Sequence, residues 1–252
     1  MSHKIRLLIS PKTIEEAKII VANQIEYIDC KNPNEGSLGA NIPWIISEMK
    51  KLIPSDSPQL LSATIGDFPN LPGSASLAAL GAAVSGADII KVGLKGPNDE
   101  RTGIELMKKV VKAVKDYNKD IKVVVAGYAD RIRMNSSPEF MSIPLIALES
   151  GADIAMLDTF IKDKKGLFDF LSEHQLVQFK EKAKDFDLDV ALAGNLRKKD
   201  IPLLIKISPD IIGVRSVVCE RYDRLNGSIK SELIKDLKTE FSKNYRKNMN
   251  II

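Results

Sequence analysis

The sequence predicts a single-domain (β/α)8 barrel, a TIM barrel, and three observations predict it. Eight short apolar runs alternate with amphipathic or small-residue helical stretches, and they recur at intervals of about thirty residues, the pattern of parallel βαβ units. The 252 residues suit one closed barrel. The first run ends in Ser10-Pro11-Lys12, not in the Gly-rich phosphate loop that a doubly wound open sheet, the next best arrangement, carries there. No shift in composition divides the chain, so residues 1–243 read as one catalytic barrel and 244–252 as a flexible C-terminal tail.

Each element has a local cause. Ile5 to Ser10 is an apolar strand, and Thr13-Ile14-Glu15-Glu16 starts a helix with acids in its first turn. Tyr27-Ile28 carry β-favouring side chains into Asp29-Cys30-Lys31, where Asn32-Pro33-Asn34 and Gly36 supply turn chemistry. The helix after it runs from about Ile42 to Leu52, with Pro43 tolerated in the first turn. The third strand is Leu60–Ile65, stopped at Gly66-Asp67, and Ser74 to Val84 forms an Ala-rich helix able to pack close to a sheet. Asp88–Leu94 is the fourth strand, interrupted by Lys91, and a long amphipathic helix follows from Asp99 to about Val114. Ile121–Gly127 and Asp153–Asp158 are the fifth and sixth strands, with a helix between them that ends near Ser150. A helical region from Leu167 to Phe186, broken near Ser172, leads to the seventh strand, Asp189–Ala193. The last repeat is Ile211–Arg215 and a helix from about Ile229 to Phe241. Gly86-Ala87-Asp88-Ile89 and Gly151-Ala152-Asp153-Ile154 repeat one helix-to-strand connection, as expected of repeated units.

Composition narrows the function. A hydrophobic fraction of 44% and a charged fraction of 28% are those of an ordinary globular chain. No apolar run reaches membrane-spanning length and the N-terminus lacks a secretory pattern, so the expected location is the cytoplasm. The net charge of +4 comes largely from lysines on helix faces and near the C-terminus, which argues against nucleic acid and for a small phosphorylated substrate. Cys30 and Cys219 lack metal-ligand spacing, while His3 and His174 fall near the terminus and on a helix. They point to buried thiols and surface histidines, and no metal or other cofactor is called for. Barrel helices often bury partners, and a homo-oligomer is expected.

In such barrels chemistry sits at the C-terminal ends of the strands. The charged residues there are Asp29, Lys31, Asp67, Lys91, Asp158, Lys162 just beyond, and Arg215. Alternation places Asp29 and Lys31 on one face of their strand. If that face lines the barrel, burial lowers the lysine's pKa and frees an amine that can attack a carbonyl; if it does not, the pair is an ordinary ion pair. Lys91 and Lys162 would depress that pKa further, and Asp29 or Asp158 would move protons. Gly194-Asn195 and Arg215-Ser216 end the seventh and eighth strands, the usual phosphate site of this fold. Their backbone N–H groups and the arginine are the candidate phosphate ligands.

The motifs carry a resemblance. Asp29-Cys30-Lys31-Asn32-Pro33-Asn34-Glu35-Gly36-Ser37-Leu38-Gly39-Ala40-Asn41, Ser76 to Ala83, Lys91-Val92-Gly93-Leu94, Ala126 to Asp130, Met156-Leu157-Asp158-Thr159 and Ala191 to Gly194 resemble the (5-formylfuran-3-yl)methyl phosphate synthases, and the likeness covers nearly the whole chain. It implies a TIM-barrel lyase similar to class I aldolases. Such an enzyme condenses two molecules of glyceraldehyde 3-phosphate into a phosphorylated furan aldehyde, with loss of phosphate and water, early in methanofuran biosynthesis. It further implies that Lys31 forms the Schiff base, that Asp29 is its proton-transfer neighbour, that Lys91 is another active-site lysine, and that Asp158 and Lys162 act in acid–base steps. Asn195 stands where the family pattern has Ser, Ser216 stands where it has Gly, and Arg131 to Phe140 is unlike the family. Another class I aldolase and a non-catalytic phosphosugar-binding barrel are the rival readings.

Overall fold

The computed structural model describes residues 5–249. Its strands are β1 (Arg6–Ile9), β2 (Tyr27–Cys30), β3 (Leu60–Phe68), β4 (Ile89–Leu94), β5 (Lys122–Tyr128), β6 (Ile154–Asp158), β7 (Asp189–Leu192) and β8 (Ile211–Val214). All neighbours pair in parallel, in chain order, and β8 closes on β1 with Arg6 opposite Ile211 and Ile9 opposite Val214. The helices are α1 (Ile14–Ala22), α2 (Pro43–Lys51), α3 (Pro72–Val84), α4 (Glu100–Tyr117), α5 (Ile143–Ser150), α6 (Glu173–Lys184), α7 (Ile201–Ile207) and α8 (Ser231–Met249). This is the single-domain (β/α)8 TIM barrel that the repeat pattern predicts.

Alternation along each strand splits the apolar residues into two sets. One packs between sheet and helices, with residues such as Ile9, Ile28, Leu61, Ile90 and Val125 on the outward face. The other fills the barrel, where Leu8, Tyr27, Ile89, Val124, Ile154, Met156 and Ile211 are buried. The inward phase then carries Asp29 two residues after Tyr27, Lys91 two after Ile89 and Asp158 two after Met156. The charges at the strand ends therefore point into the barrel mouth because the apolar residues before them fill its interior.

Several local differences have physical reasons. Thr13 caps α1 by accepting from the Glu16 N–H, and an Asp99–Thr102 capping box fixes the start of α4. The break expected near Ser172 is a helix start: Ser172 caps α6 through the Gln175 N–H, behind a 3-10 turn over Leu167–Asp169. β3 continues to Phe68, with a register shift between Thr64 and Asp67 that Gly66, at φ +127°, accommodates. The sequence pattern does not delimit α7, because its seven residues are nearly all apolar and give no amphipathic period. α8 runs on through Met249, and the Tyr245 hydroxyl accepts from the Ile5 N–H at 2.9 Å. The helix thus includes the first part of the stretch expected as a tail; residues 250–252 and His3 lie outside the described residues.

Candidate active site

The Asp29–Asn41 segment builds one side of the barrel mouth. Past Lys31 the chain turns on itself, with the Asn32 N–H donating to the Gly39 carbonyl at 2.9 Å. Gly39 allows this approach, since a Cβ there would lie 2.2 Å from the Asn32 oxygen. The loop is then fastened across the mouth. The Ser37 hydroxyl donates to the Thr159 carbonyl at 2.9 Å, the Leu38 N–H donates to Asp67 Oδ1 at 3.2 Å, and Thr64 Oγ1 donates to the Gly39 carbonyl at 2.6 Å. Leu38 is buried against the inner core, and the Tyr128 hydroxyl closes the arrangement with a short hydrogen bond to Asp67. Loop and side chains cap the mouth near β3 to β5.

The open recess lies toward β6 to β8, and its wall includes Asp29, Lys31, Asp158 and Lys162. Asp29 is 1% exposed and is held from three directions. The Ser10 hydroxyl donates to Oδ2 at 2.7 Å, Lys31 Nζ lies 3.9 Å from Oδ2, and the buried Lys91 ammonium meets Oδ1. Burial alone would raise the Asp29 carboxyl, yet Lys91 and then Lys31 outweigh it and hold it below its usual value. Across the recess, Lys162 Nζ donates to Asp158 Oδ1 at 2.7 Å, and the Thr159 N–H donates to the same oxygen at 2.7 Å. Asp158 is lowered likewise, with Lys162 and Lys31 overcoming burial.

Each acid therefore has a close lysine of its own, and Lys31 has neither acid to itself. Burial brings its ammonium down to about 8, the Asp29 and Asp158 charges oppose the shift, and the Lys162 and Lys91 charges add to it. At neutral pH such a side chain holds a useful fraction of free amine. The five side chains chosen from sequence, Lys31, Asp29, Lys91, Asp158 and Lys162, thus converge, with Lys91 beneath Asp29 and shielded from the recess.

The expected phosphate residues divide. Gly194, Asn195, Arg215 and Ser216 all line the recess. Gly194 sits at φ +107°, where a Cβ would come 3.0 Å from Thr159 Cγ2, so this corner requires glycine. Among the described residues no acceptor takes the N–H groups of Gly194, Asn195, Arg215 or Ser216, which leaves four donors at the recess. The Asn195 side chain turns away, its Nδ2 donating to the Lys164 carbonyl at 2.7 Å. The Arg215 guanidinium is largely engaged within the protein, with four of its five N–H donors in hydrogen bonds. Nη1 donates to Glu16 Oε2 at 2.8 Å and to the Ser10 carbonyl at 2.7 Å, Nη2 to Glu16 Oε1 at 3.2 Å, and Nε to the Arg224 carbonyl at 3.1 Å. A partner 199 residues away cannot be read from strand-end spacing.

Sequence reasoning missed Ser10, Tyr128 and Arg224. Ser10 and Tyr128 stand at strand ends and could have been found by carrying the inward phase of β1 and β5 one step further. Among the described residues no group of three or more His, Cys, Asp or Glu side chains is placed to hold a metal ion, and no helix is long and apolar enough to cross a membrane.

Known proteins share both the sequence and the fold of this chain. A family model described as 4-HFC-P synthase matches residues 7–238. The chain belongs to that family. A relative from Methanocaldococcus jannaschii, named (5-formylfuran-3-yl)methyl phosphate synthase, is 51% identical over 92% of this chain and 97% of its own. One of the same name from Methanopyrus kandleri is 46% identical, over 92% of this chain and 97% of its own. These full-length relatives make the chain an enzyme of the 4-HFC-P synthase family. Solved structures share the fold at low identity. KGPDC from Streptococcus mutans superposes with a TM-score of 0.65 at 15% identity, over 96% of this chain and 99% of that one. A 3-hexulose-6-phosphate synthase gives 0.62 at 16%, over 94% and 99%.

Proposed function

We propose that this 4-HFC-P synthase family member is a lyase. It condenses two molecules of glyceraldehyde 3-phosphate into (5-formylfuran-3-yl)methyl phosphate through an imine on Lys31, with loss of phosphate and water, and serves methanofuran biosynthesis. The observation that carries the reading is the isolation of Lys31: a buried amine between two carboxylates that are each committed to another lysine. The free amine adds to the aldehyde carbon to give a carbinolamine, and loss of water gives the iminium. A carboxylate then takes the proton from the neighbouring carbon, and the electron pair moves into the enamine. That enamine can expel the phosphate on the next carbon, its electron pair forming a new C=C bond as the C–O bond breaks. The enol so formed can attack a second aldehyde, losing its hydroxyl proton as the carbon–carbon bond forms and the aldehyde oxygen becomes an alkoxide. Asp29 beside Lys31 suits the first proton transfers. The Lys162–Asp158 pair can supply a proton to the developing alkoxide and stabilise its charge. The N–H groups at Gly194, Asn195, Arg215 and Ser216 suit one substrate phosphate. The relatives' printed name supports the product, and the recess, open toward β6 to β8, supports a small phosphorylated aldehyde as substrate.

Incubation with glyceraldehyde 3-phosphate alone and mass spectrometry of the products tests the reading. The expected result is a furan aldehyde phosphate, absent with Lys31→Ala. A new carbon–carbon product without the furan would replace the proposal with an ordinary class I aldolase.

A further inference from the structure

Among the described residues, the recess wall holds one permanent cation that the proposed chemistry leaves without a task. Arg224 lies in the long connection between β8 and α8, and it lines both the recess and the basic groove beside it. The other cations of the recess wall are matched: Arg215 to Glu16, and Lys162 to Asp158. Lys31 stands near Asp29, and burial brings its ammonium down to about 8. The Arg224 guanidinium has no hydrogen-bond or ion-pair partner among the described residues. It is nonetheless partly buried, and burial pulls its pKa below the usual arginine value while the Asp158 charge opposes that shift. A guanidinium taken from water without a partner is unfavourable, and an incoming anion would remove the deficit.

The connection that presents Arg224 is firmly built. Cys219 and Ile229 pair as an antiparallel bridge at its base. The Leu225 and Asn226 N–H groups donate to Asp223 Oδ1 at 2.8 and 3.0 Å, and the Gly227 N–H donates to the Asp223 carbonyl at 2.9 Å. Gly227 is needed there, since a Cβ would fall 2.4 Å from the Glu220 carbonyl oxygen. Glu16 joins this connection to the barrel. Besides holding Arg215, it accepts from the Ile229 N–H at 3.1 Å and from the Lys12 N–H at 2.6 Å. Arg215 in turn donates through Nε to the carbonyl of Arg224 itself. The buried Glu16–Arg215 pair therefore fixes the backbone from which Arg224 reaches the recess.

We infer that Arg224, and not Arg215, supplies the charge that binds a substrate phosphate, completing a site whose other ligands are the free N–H groups at the ends of β7 and β8. A guanidinium matches phosphate oxygens in paired geometry, and backbone N–H groups fix the remaining oxygens. Arg215 is a positioning residue for that site. The inference rests on the proposed phosphorylated substrate, but it is testable without the imine.

Inorganic phosphate is titrated calorimetrically into the wild type, Arg224→Gln and Arg224→Lys. Each protein is also incubated with borohydride and either glyceraldehyde 3-phosphate or unphosphorylated glyceraldehyde. The expected results are phosphate binding weakened about ten- to a hundred-fold in Arg224→Gln, as for loss of a charged hydrogen-bonding partner, with part of it restored in Arg224→Lys. Trapping with glyceraldehyde 3-phosphate at low concentration should fall in Arg224→Gln while trapping with glyceraldehyde stays at the wild-type level. Unchanged phosphate affinity in Arg224→Gln would overturn the inference, and so would equal loss of trapping with both aldehydes. Failure of the wild type to trap either aldehyde would count against the imine on Lys31 alone, because the phosphate titration still decides the role of Arg224.

Discussion

The two ends of this barrel carry the same kinds of side chain and differ in what surrounds them. At the N-terminal end Asp189 gathers Arg6 at 3.1 Å, Lys122 at 3.4 Å and Lys184 at 3.8 Å, while Lys184 also reaches Asp210 at 2.7 Å. Asp189, Arg6, Lys122 and Lys184 are 27% to 40% exposed as side chains, while Asp210 is 2% exposed. At the C-terminal end Asp29, Lys91 and Asp158 are at most 3% exposed and Lys31 is 10% exposed as side chains. Water and long flexible stems let the lower cluster share charge at little cost. In the upper cluster burial is the larger influence, so two acid–lysine pairs form and the third lysine is left with a depressed pKa. Charge clusters of similar composition thus share charge in partial contact with water at one end and leave one lysine with a lowered pKa at the other.

Substitutions at the two ends should separate accordingly. Lys31→Ala has the largest expected effect: turnover falls on the order of 10³-fold or more, because the covalent route is lost, as measured by product formation under saturating substrate. Asp158→Asn should lower turnover about 10²-fold, in the range for loss of a positioned acid or base, while borohydride still traps an adduct. Asp29→Asn should lose activity and also cost about 3–5 kcal/mol of stability, since Lys91 would be left as an unpaired buried charge; chemical denaturation measures it. The pH dependence is a smaller test. With Lys31 near 8 in the folded chain, the free-amine fraction and the trapping rate should rise nearly tenfold per pH unit below that value and level off above it. The same sign governs stability: the folded chain releases this proton near 8 and the unfolded chain near 10.4. The penalty of the buried ammonium is therefore complete below 8 and relaxes as pH rises through that window. At the other end, Asp189→Ala should cost no more than about 1 kcal/mol and leave turnover at the wild-type level, measured by thermal melting beside a standard assay. A large loss of activity there would erase the contrast between the two ends.

Much of this was legible in the sequence, and particular residues show why. Most strands declare themselves as apolar runs stopped by a charge or glycine, the first by Ser10-Pro11, and inward phase follows from counting by two from Tyr27, Ile89 or Met156. The convergence of Asp29, Lys31, Lys91, Asp158 and Lys162 was readable for that reason. Arg215 was placed correctly at the end of β8, but its direction depends on Glu16 in α1, a contact set by barrel closure and not by local pattern. Arg224 was invisible because its loop is shaped by backbone hydrogen bonds to Asp223, Glu220 and Ser228, which no periodicity records. The short apolar α7 escaped because a helix without a polar face gives no helical period.

The central claim, that Lys31 is the amine that captures the aldehyde, is tested most directly by mapping the adduct. The protein is incubated with glyceraldehyde 3-phosphate at pH 8, reduced with borohydride, digested and analysed by mass spectrometry. The account predicts a reduced imine on the peptide that contains Lys31 and none in Lys31→Ala. An adduct confined to Lys91 or Lys162, or product formed without any adduct, would contradict it.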